Sequence, residues 1–369
     1  MHSVVSKPAL VTVALKRFRN YEEVSVELSP KLNLIWGANG QGKSNLLEAI
    51  YLLASTRSFR GAASNELVMY GADAAEVSAV FADTGQEIGL ILPTRGRRTA
   101  RVGATNLPRV QDLIGRLPSV CFSSLDMVLV AGEPNDRRRF LDNDLSQISA
   151  GYLAASFEYR RLLKQRNAVL KALKEGGSGR QDLEAWNHRM APAAARVRRL
   201  RTEYVMALSP FAAEEHARLS GGAEDLQIRY RPGDDCVEEK DFLDAFRISF
   251  HRDLILGATS IGPHRDDLVL ELEGRSAAKF GSQGQQRTAV LAVKLAQVKH
   301  CVRDVGVIPL VLLDDILSDL DSSRRHQVLE GASKYGQVVI TCTDYHAVES
   351  DFSEPPARVK IDAGRVIET

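Results

Sequence analysis

Gly37-Ala38-Asn39-Gly40-Gln41-Gly42-Lys43-Ser44 decides how this chain is read. The octapeptide matches G-x-x-x-x-G-K-[ST]. It lies between an apolar run, Leu32-Asn33-Leu34-Ile35-Trp36, and a stretch that places Leu46, Leu47, Ile50, Leu53 and Ala54 on one helical face. A strand, a glycine turn and a helix in that order make a cradle for phosphate. The glycines let backbone N–H groups curl round the oxygens, and the helix N-terminus adds positive potential. Gly37, Asn39, Gly40, Gly42 and Asn45 would line the cradle. Lys43 would reach the β- and γ-phosphates of ATP, and Ser44 would ligate Mg²⁺. The bland alternative is a plain strand–turn–helix corner; a complete motif in the right context argues against it.

Two later stretches supply what the loop lacks. Val311-Leu312-Leu313-Asp314-Asp315 is an apolar strand ending in two carboxylates. Asp314 would hold Mg²⁺, and Asp315 would orient or deprotonate the attacking water. Ser282-Gln283-Gly284-Gln285-Gln286-Arg287 reads first as a capping box: Ser282 pairs with Gln285, ahead of a helix through Val290, Val293 and Val298. The same capped N-terminus can meet a γ-phosphate presented by a second copy. A signature loop so far from the phosphate loop predicts an ATP-gated homodimer, and Asp315, which reaches one methylene less than a Glu would, predicts slow hydrolysis.

The rest of the chain sets the frame. Its 369 residues are 44% apolar and 26% charged, with a net charge of +1, as in an average soluble protein. Any nucleic-acid signal must be local. Cys121, Cys236, Cys301 and Cys342 form no CxxC pair, which fits a reducing cytosol. The start lacks a signal peptide's apolar core, and the longest strongly apolar stretch, 305–313, is too short to span a membrane. Alternation predicts strands over 10–36, a small antiparallel sheet over 76–103, and strands near 226–230, 268–272, 307–313 and 337–341. Helical periodicity predicts a hairpin of two long helices. One runs from Gly151 to Lys174; the other runs from Asp182 toward Leu208, kinked at Pro192 and ending near Pro210. A further helix is expected near 238–256. The fold class is α/β: a P-loop ATPase head from 1–120 and 258–369, with a mainly helical arm domain inserted at 121–257.

Between Phe157 and Arg201 stand 12 Lys and Arg against 4 Asp and Glu. Such a face suits a phosphate backbone, although a solvated helix with snorkelling side chains reads the same way. Arg95, Arg97, Arg98 and Arg101 form a second basic group with the same two readings. Arg137-Arg138-Arg139 reads as a helix-start cluster paired with carboxylates, and His264 as a residue that satisfies hydrogen bonds where the insert rejoins the head. Thr341 and Thr343 are expected to follow the last sheet strand, as a γ-phosphate sensor or as surface threonines.

Taken together these stretches resemble the RecF family of recombination mediators. The resemblance is carried by Arg17-Phe18-Arg19-Asn20-Tyr21, Asn33-Leu34-Ile35, Gly40 through Tyr51, Arg57-Ser58-Phe59-Arg60, Arg137 through Asp142, Gly262-Pro263-His264-Arg265-Asp266-Asp267 and Ser282 through Arg287. It implies an ABC/SMC-like ATPase head that binds ATP and Mg²⁺ and dimerises around two ATP molecules. It further implies binding to gapped, single-stranded and linear double-stranded DNA, and cytoplasmic gap repair with RecO and RecR. In that setting such a protein helps RecA replace single-strand binding protein and is tied to the SOS response. By position, Ser282, Gly284 and Gln285 would contact the partner copy's ATP, and Arg19 would lie near the base or ribose. The chain departs from the pattern at Trp36 and Ala38. It also lacks the Pro-Glu expected before Asp126, the equivalent of a glutamine loop. Two competing functions fit the sequence less well. A coupling ATPase of a membrane transporter does not need so long an insert between Gly37 and Ser282, and a small-molecule kinase needs neither the signature helix nor the basic arm.

Overall fold

The phosphate-loop strand Leu32–Trp36 lies inside a six-stranded sheet. Its strand order is Arg365–Glu368, Ala357–Asp362, Leu32–Trp36, Val338–Cys342, Leu310–Asp314, Ser119–Ser123. Only the outermost pair, Ala357–Asp362 with Arg365–Glu368, is antiparallel. The inner strands are near-continuous apolar runs, as expected where both faces of a parallel sheet are covered. Trp36 pairs with Cys342 and Thr341 with Asp314, so three strands end level with one another. In such sheets the crevice at the carboxyl ends takes the ligand. The computed structural model describes residues 9–346 and 348–368. The expectation about a leader segment falls on 1–8, outside the described residues.

A second sheet is antiparallel and runs Tyr21–Glu27, Leu10–Phe18, Ala74–Phe81, Glu87–Pro93, Thr99–Val102, Thr105–Asn106. The helix Lys43–Ser55 is buried along nearly its whole circumference rather than on one face. The reason is a shared core. Leu46, Leu47, Ile50 and Leu53 cluster with Val13, Val77 and Leu90 of the antiparallel sheet and with Leu312 and Val339 of the parallel one. A helix with apolar neighbours on both sides has no solvent face to keep polar.

The chain divides into two compact units. One comprises the residues up to Met127, Arg218–Gly222 and Val290 onward; the other comprises Val128–Ala217 and Ala223–Ala289. Residues 258–289 thus group with the helical unit, beside the sequence-based partition at 257. Strand Asp267–Leu272 pairs there with Leu226–Arg231, and Asp266 takes a two-pronged ion pair from Arg198 at 2.8 and 2.6 Å. The helical unit contains Pro134–Ile148 and Ala150–Lys174. The helix Arg180–Ser220 has 41 residues, ~60 Å at 1.5 Å per residue, and passes through both Pro192 and Pro210. The expected stop near Pro210 is therefore corrected. Each proline removes one N–H and strands the carbonyl four residues earlier. Pro192, Pro210, His188 and Met206 are all exposed, so water can serve those carbonyls. The helix expected near 238–256 is two, Glu239–Ile248 and Phe250–Leu256.

Candidate nucleotide-binding site

The phosphate loop is shaped by contacts that only glycine allows. Gly37 has φ +147°, and a Cβ there would lie 2.2 Å from the Ile361 carbonyl oxygen. Gly42 has φ +119°, and a Cβ there would lie 2.8 Å from Asn20 Nδ2 and 2.9 Å from the Tyr21 hydroxyl. Gly42 is also the N-cap of helix Lys43–Ser55, and no side chain caps that end. The helix dipole and its first N–H groups thus point into the loop. Lys43 is buried, and its ammonium donates to Gly37 O at 2.7 Å and Ala38 O at 2.9 Å, which holds it over the concavity. Burial pulls its pKa below the usual lysine value, against the raising influence of the Asp315 and Asp314 carboxylates. Burial pushes the Cys342 thiol up to about 12, so it stays neutral beside Lys43.

Around this loop runs a ring of polar contacts. Gln41 braces the turn at 363–364: its side-chain oxygen accepts Ala363 N–H at 2.6 Å, and its carbonyl accepts Gly364 N–H at 2.9 Å. Asn20 donates to the same carbonyl at 2.9 Å and accepts from Asn45 at 2.9 Å. Arg60 donates to Asn45 at 3.0 Å and stands 3.8 Å from Asp314. Arg19 grips the fully buried Glu48 with two bonds of 3.0 Å, and Ser58 donates to the same carboxylate. At Trp36 the Lys360 ammonium sits 4.7 Å from the ring centroid, a cation–π contact between neighbouring strands.

Asp314 and Asp315 are organised by one residue. Thr341 is fully buried within strand Val338–Cys342, not after it. Its hydroxyl donates to Asp314 Oδ1 at 3.1 Å and accepts Asp315 N–H at 2.8 Å. The expectation that Thr341 follows the strand is corrected, and Thr343 alone is exposed. Asp315 has φ +52°, a left-handed conformation that costs roughly 1 kcal/mol or more for a side-chain-bearing residue. Asp126 lies in the turn after Ser123, the ladder partner of Asp314. It accepts Ser123 N–H at 2.7 Å and pairs with Lys294 at 3.2 Å. Among the described residues no cluster of three His, Cys, Asp or Glu could hold a metal alone. Ser44 and Asp314 offer hard oxygen donors, the set that suits Mg²⁺ when phosphate oxygens complete the shell.

In the helical unit, Ser282 starts helix Gln283–His300. Ser282 N–H donates to Gln285 Oε1 at 2.7 Å and Gln285 N–H to Ser282 Oγ at 3.2 Å, a reciprocal capping box. Gln285 also donates to Glu224 at 2.6 Å. Ser282 and Gly284 are exposed, and a Cβ at Gly284 would meet nothing closer than Ser282 Oγ at 3.9 Å.

The basic stretch 157–201 is divided by burial. Arg166 is fully buried, bonded to Asp253, Thr259 and Asn187 at 2.8 Å each. Arg198 holds Asp234 and Asp266, and Arg201 holds Asp142. These three are internal and do not serve phosphates. Arg161, Lys164, Lys171, Lys174, Arg189, Arg196 and Arg199 are exposed. On the small sheet, Arg98 donates to Ser64 and Thr56, and Arg101 pairs with Glu87 and Glu76. Arg137 pairs with Asp267, and Arg138 donates to Asp266 O, which anchors helix Pro134–Ile148 at its start. His264 meets Tyr159 at 2.7 Å and Thr259 O at 2.9 Å. A carbonyl only accepts, so Nε2 carries the proton and Nδ1 takes the Tyr159 hydroxyl. Burial pulls this imidazole down to about 4, although the Thr259 bond works the other way.

Sequence reasoning missed Glu48, Arg60, Gln41 and Lys294. Arg60 lay inside Arg57-Ser58-Phe59-Arg60, a stretch that carried the resemblance but was given no chemistry. Glu48 had a readable signal, a carboxylate on a helix whose neighbours are apolar.

Comparison with known proteins closes the assignment. The family described as RecF/RecN/SMC N terminal domain matches residues 9–361. The DNA replication and repair protein RecF of Synechococcus sp. (strain JA-3-3Ab) is 37% identical over 95% of this chain and 96% of its own length. The RecF of Geobacillus sp. (strain WCH70) is 35% identical over 97% of this chain and 98% of its own. This chain belongs to the RecF family. A solved structure of the recombination mediator protein RecF-ATP in the RecFOR pathway matches with a TM-score of 0.90 and 30% identity, covering 100% of both chains. The Smc head domain from Pyrococcus furiosus, with an extended coiled coil and bound to the C-terminal domain of ScpA, matches at TM-score 0.56 and 18% identity over 98% of this chain and 96% of that one. The RecF fold is thus an SMC-like α/β ATPase head with a helical insert.

Proposed function

We propose that this chain is an ATP-switched DNA-binding protein of replication and recombinational repair, acting as a dimeric clamp. The observation that carries the reading is the open, capped N-terminus at Ser282–Gly284, exposed at the head of an 18-residue helix. It is built to meet an anion, and a second copy's γ-phosphate supplies one. Each nucleotide would lie on Gly37–Asn45 of one copy and under Ser282, Gly284 and Gln285 of the other. Bound Mg²⁺ would neutralise phosphate charge between Ser44 and Asp314. Lys43 exchanges its two carbonyl contacts for phosphate oxygens. Asp315, placed by Thr341, orients water for slow hydrolysis, and loss of the γ-phosphate contact opens the clamp. Arg19, occupied by Glu48, shapes the wall beside the loop.

Closure would bring the exposed cations of the two long helices onto DNA near a single-strand junction, and the relatives in the RecFOR pathway make RecO and RecR the expected partners. Helping RecA replace single-strand binding protein on gapped DNA is the step this would serve. The transporter alternative is not favoured, because the similarity to RecF runs the length of the chain. In addition, no helix among the described residues is long and apolar enough to cross a membrane.

The test is size-exclusion chromatography with ATP, alongside DNA binding across a salt series. Asp315→Asn is expected to bind ATP and stay dimeric longer than wild type. Lys43→Ala is expected to remain monomeric through loss of ATP binding. A monomer peak for Asp315→Asn at saturating ATP would sink the dimer reading.

A further inference from the structure

Tyr70 is fully exposed (103%), the most exposed of the large apolar and aromatic side chains among the described residues. A fully exposed tyrosine ring buries nothing within its own chain and keeps its face free for stacking. Its surroundings are fixed by the backbone. On one side, Phe18 bridges to Val68, and Met69 N–H donates to Arg17 O at 2.7 Å, so Arg17 lies beside the segment that carries Tyr70. On the other side, the basic turn Thr94–Arg98 is stapled to that segment at both ends. Thr94 N–H donates to Asp73 O at 2.8 Å, and Arg98 donates to Ser64 Oγ at 2.8 Å. Tyr70 lies between these two staples.

Arg17, Arg95 and Arg97 are exposed, and among the described residues none of them makes an ion pair. The Glu66 carboxylate, which accepts Ala63 N–H at 2.5 Å, and the exposed Asp73 are acidic neighbours on the same segment. An exposed aromatic side chain on a segment whose backbone neighbours carry exposed arginines suits an unpaired base on the ring and the adjoining phosphates on the cations. A duplex cannot use it, since its bases are already stacked on one another.

We infer that Tyr70, with Arg17, Arg95 and Arg97, forms a contact site for single-stranded nucleic acid on the antiparallel sheet. Its residues belong to the first compact unit, whereas the exposed cations of the long helices belong to the second. The inference rests on the DNA-binding reading above and names where the unpaired strand goes.

The test compares wild type, Tyr70→Ala, Tyr70→Phe and Arg95→Glu/Arg97→Glu by fluorescence anisotropy. Substrates are oligo-dT, a gapped duplex and a blunt duplex, each with and without ATP, and nucleotide affinity is measured on the same samples. Tyr70→Ala should weaken oligo-dT and gapped binding about 10-fold while leaving the blunt duplex within a factor of two. Tyr70→Phe should retain most of the affinity. The arginine pair should flatten the log–log salt slope on oligo-dT by about 1.4, two phosphate contacts at 0.7 each. A full side chain in water carries little packing, so an unchanged thermal melt checks that Tyr70→Ala is folded. Unchanged oligo-dT affinity in Tyr70→Ala overturns the inference, as does an equal loss on blunt duplex. Weakened ATP binding would also overturn it, since the ring would then serve the nucleotide base. If wild type binds no DNA at all, the broader reading falls as well. If wild type binds and only Tyr70→Ala is silent, this inference falls alone.

Discussion

Replacing Thr341 by valine keeps shape and removes one hydroxyl that serves two carboxylate-bearing residues. In the folded chain that hydroxyl donates to Asp314 Oδ1 at 3.1 Å and accepts Asp315 N–H at 2.8 Å, with Thr341 fully buried. Loss of a charge-assisted bond plus an unsatisfied N–H amounts to about 2–3 kcal/mol, after partial relaxation toward solvent at Asp314. Thermal unfolding should fall by roughly 5 °C. The effect on chemistry should be sharper than the effect on binding. Lys43 and the phosphate loop keep their contacts, so ATP affinity should change little. Asp315, held at φ +52° partly by this bond, should lose its orientation, and single-turnover hydrolysis should drop about 10-fold, or 1.4 kcal/mol of barrier. Thr341→Ser restores the hydroxyl and should recover most of the rate. Equal hydrolysis by wild type and Thr341→Val would refute the argument that Thr341 sets the geometry of Asp314 and Asp315. A matching loss in Thr341→Ser would point to packing instead.

Three further outcomes follow from particular contacts. Gly37→Ala puts a methyl 2.2 Å from Ile361 O and should abolish measurable binding of a fluorescent ATP analogue, whereas Gly40→Ala, with nothing within 4 Å, should cost only about 1 kcal/mol of strain. Arg166→Met leaves Asp253 as a buried charge and should lower urea-unfolding stability by about 3–5 kcal/mol, while Arg161→Met on the exposed face should be near neutral. His264 has a folded pKa of about 4 against an ordinary value near 6.5, so the unfolded chain takes up the proton first as pH falls. Its contribution is therefore present above about 6.5 and is lost through pH 4, about 3 kcal/mol in all. His264→Gln should flatten that part of the stability–pH curve, and an unchanged slope between pH 6.5 and 4 would contradict the buried neutral imidazole.

The phosphate loop and the strands at 310–314 and 338–342 were legible because local pattern and chemistry agree there: apolar runs end in glycines or carboxylates. Arg137-Arg138-Arg139 and His264 were legible for a similar reason, since charge and hydrogen-bonding needs are local properties. The inward turn of Arg166, Arg198 and Arg201 was not. A count of lysines and arginines carries no direction, and the carboxylates that hold these three come from 142, 234, 253 and 266, remote in sequence. The continuation of helix Arg180–Ser220 past Pro210 escaped for a different reason. Proline's penalty depends on whether the stranded carbonyl faces water, which the residue alone does not say. Thr341 was misplaced by the boundary of a strand, and the difference of one residue changed a surface hydroxyl into a buried one.

The strand that leads into the phosphate loop is flanked by Val338–Cys342 and Ala357–Asp362, partners made some three hundred residues later. A ribosome delivers Lys43 long before it delivers the backbone that must lie against it. Until the later strands emerge, the helix that begins at Lys43 lacks the apolar wall that Leu312, Val339 and Val359 supply. Maturation of this fold is therefore a late, long-range closure, and a premature stop before Leu310 would leave one apolar side of that helix bare rather than a weaker version of the same machine.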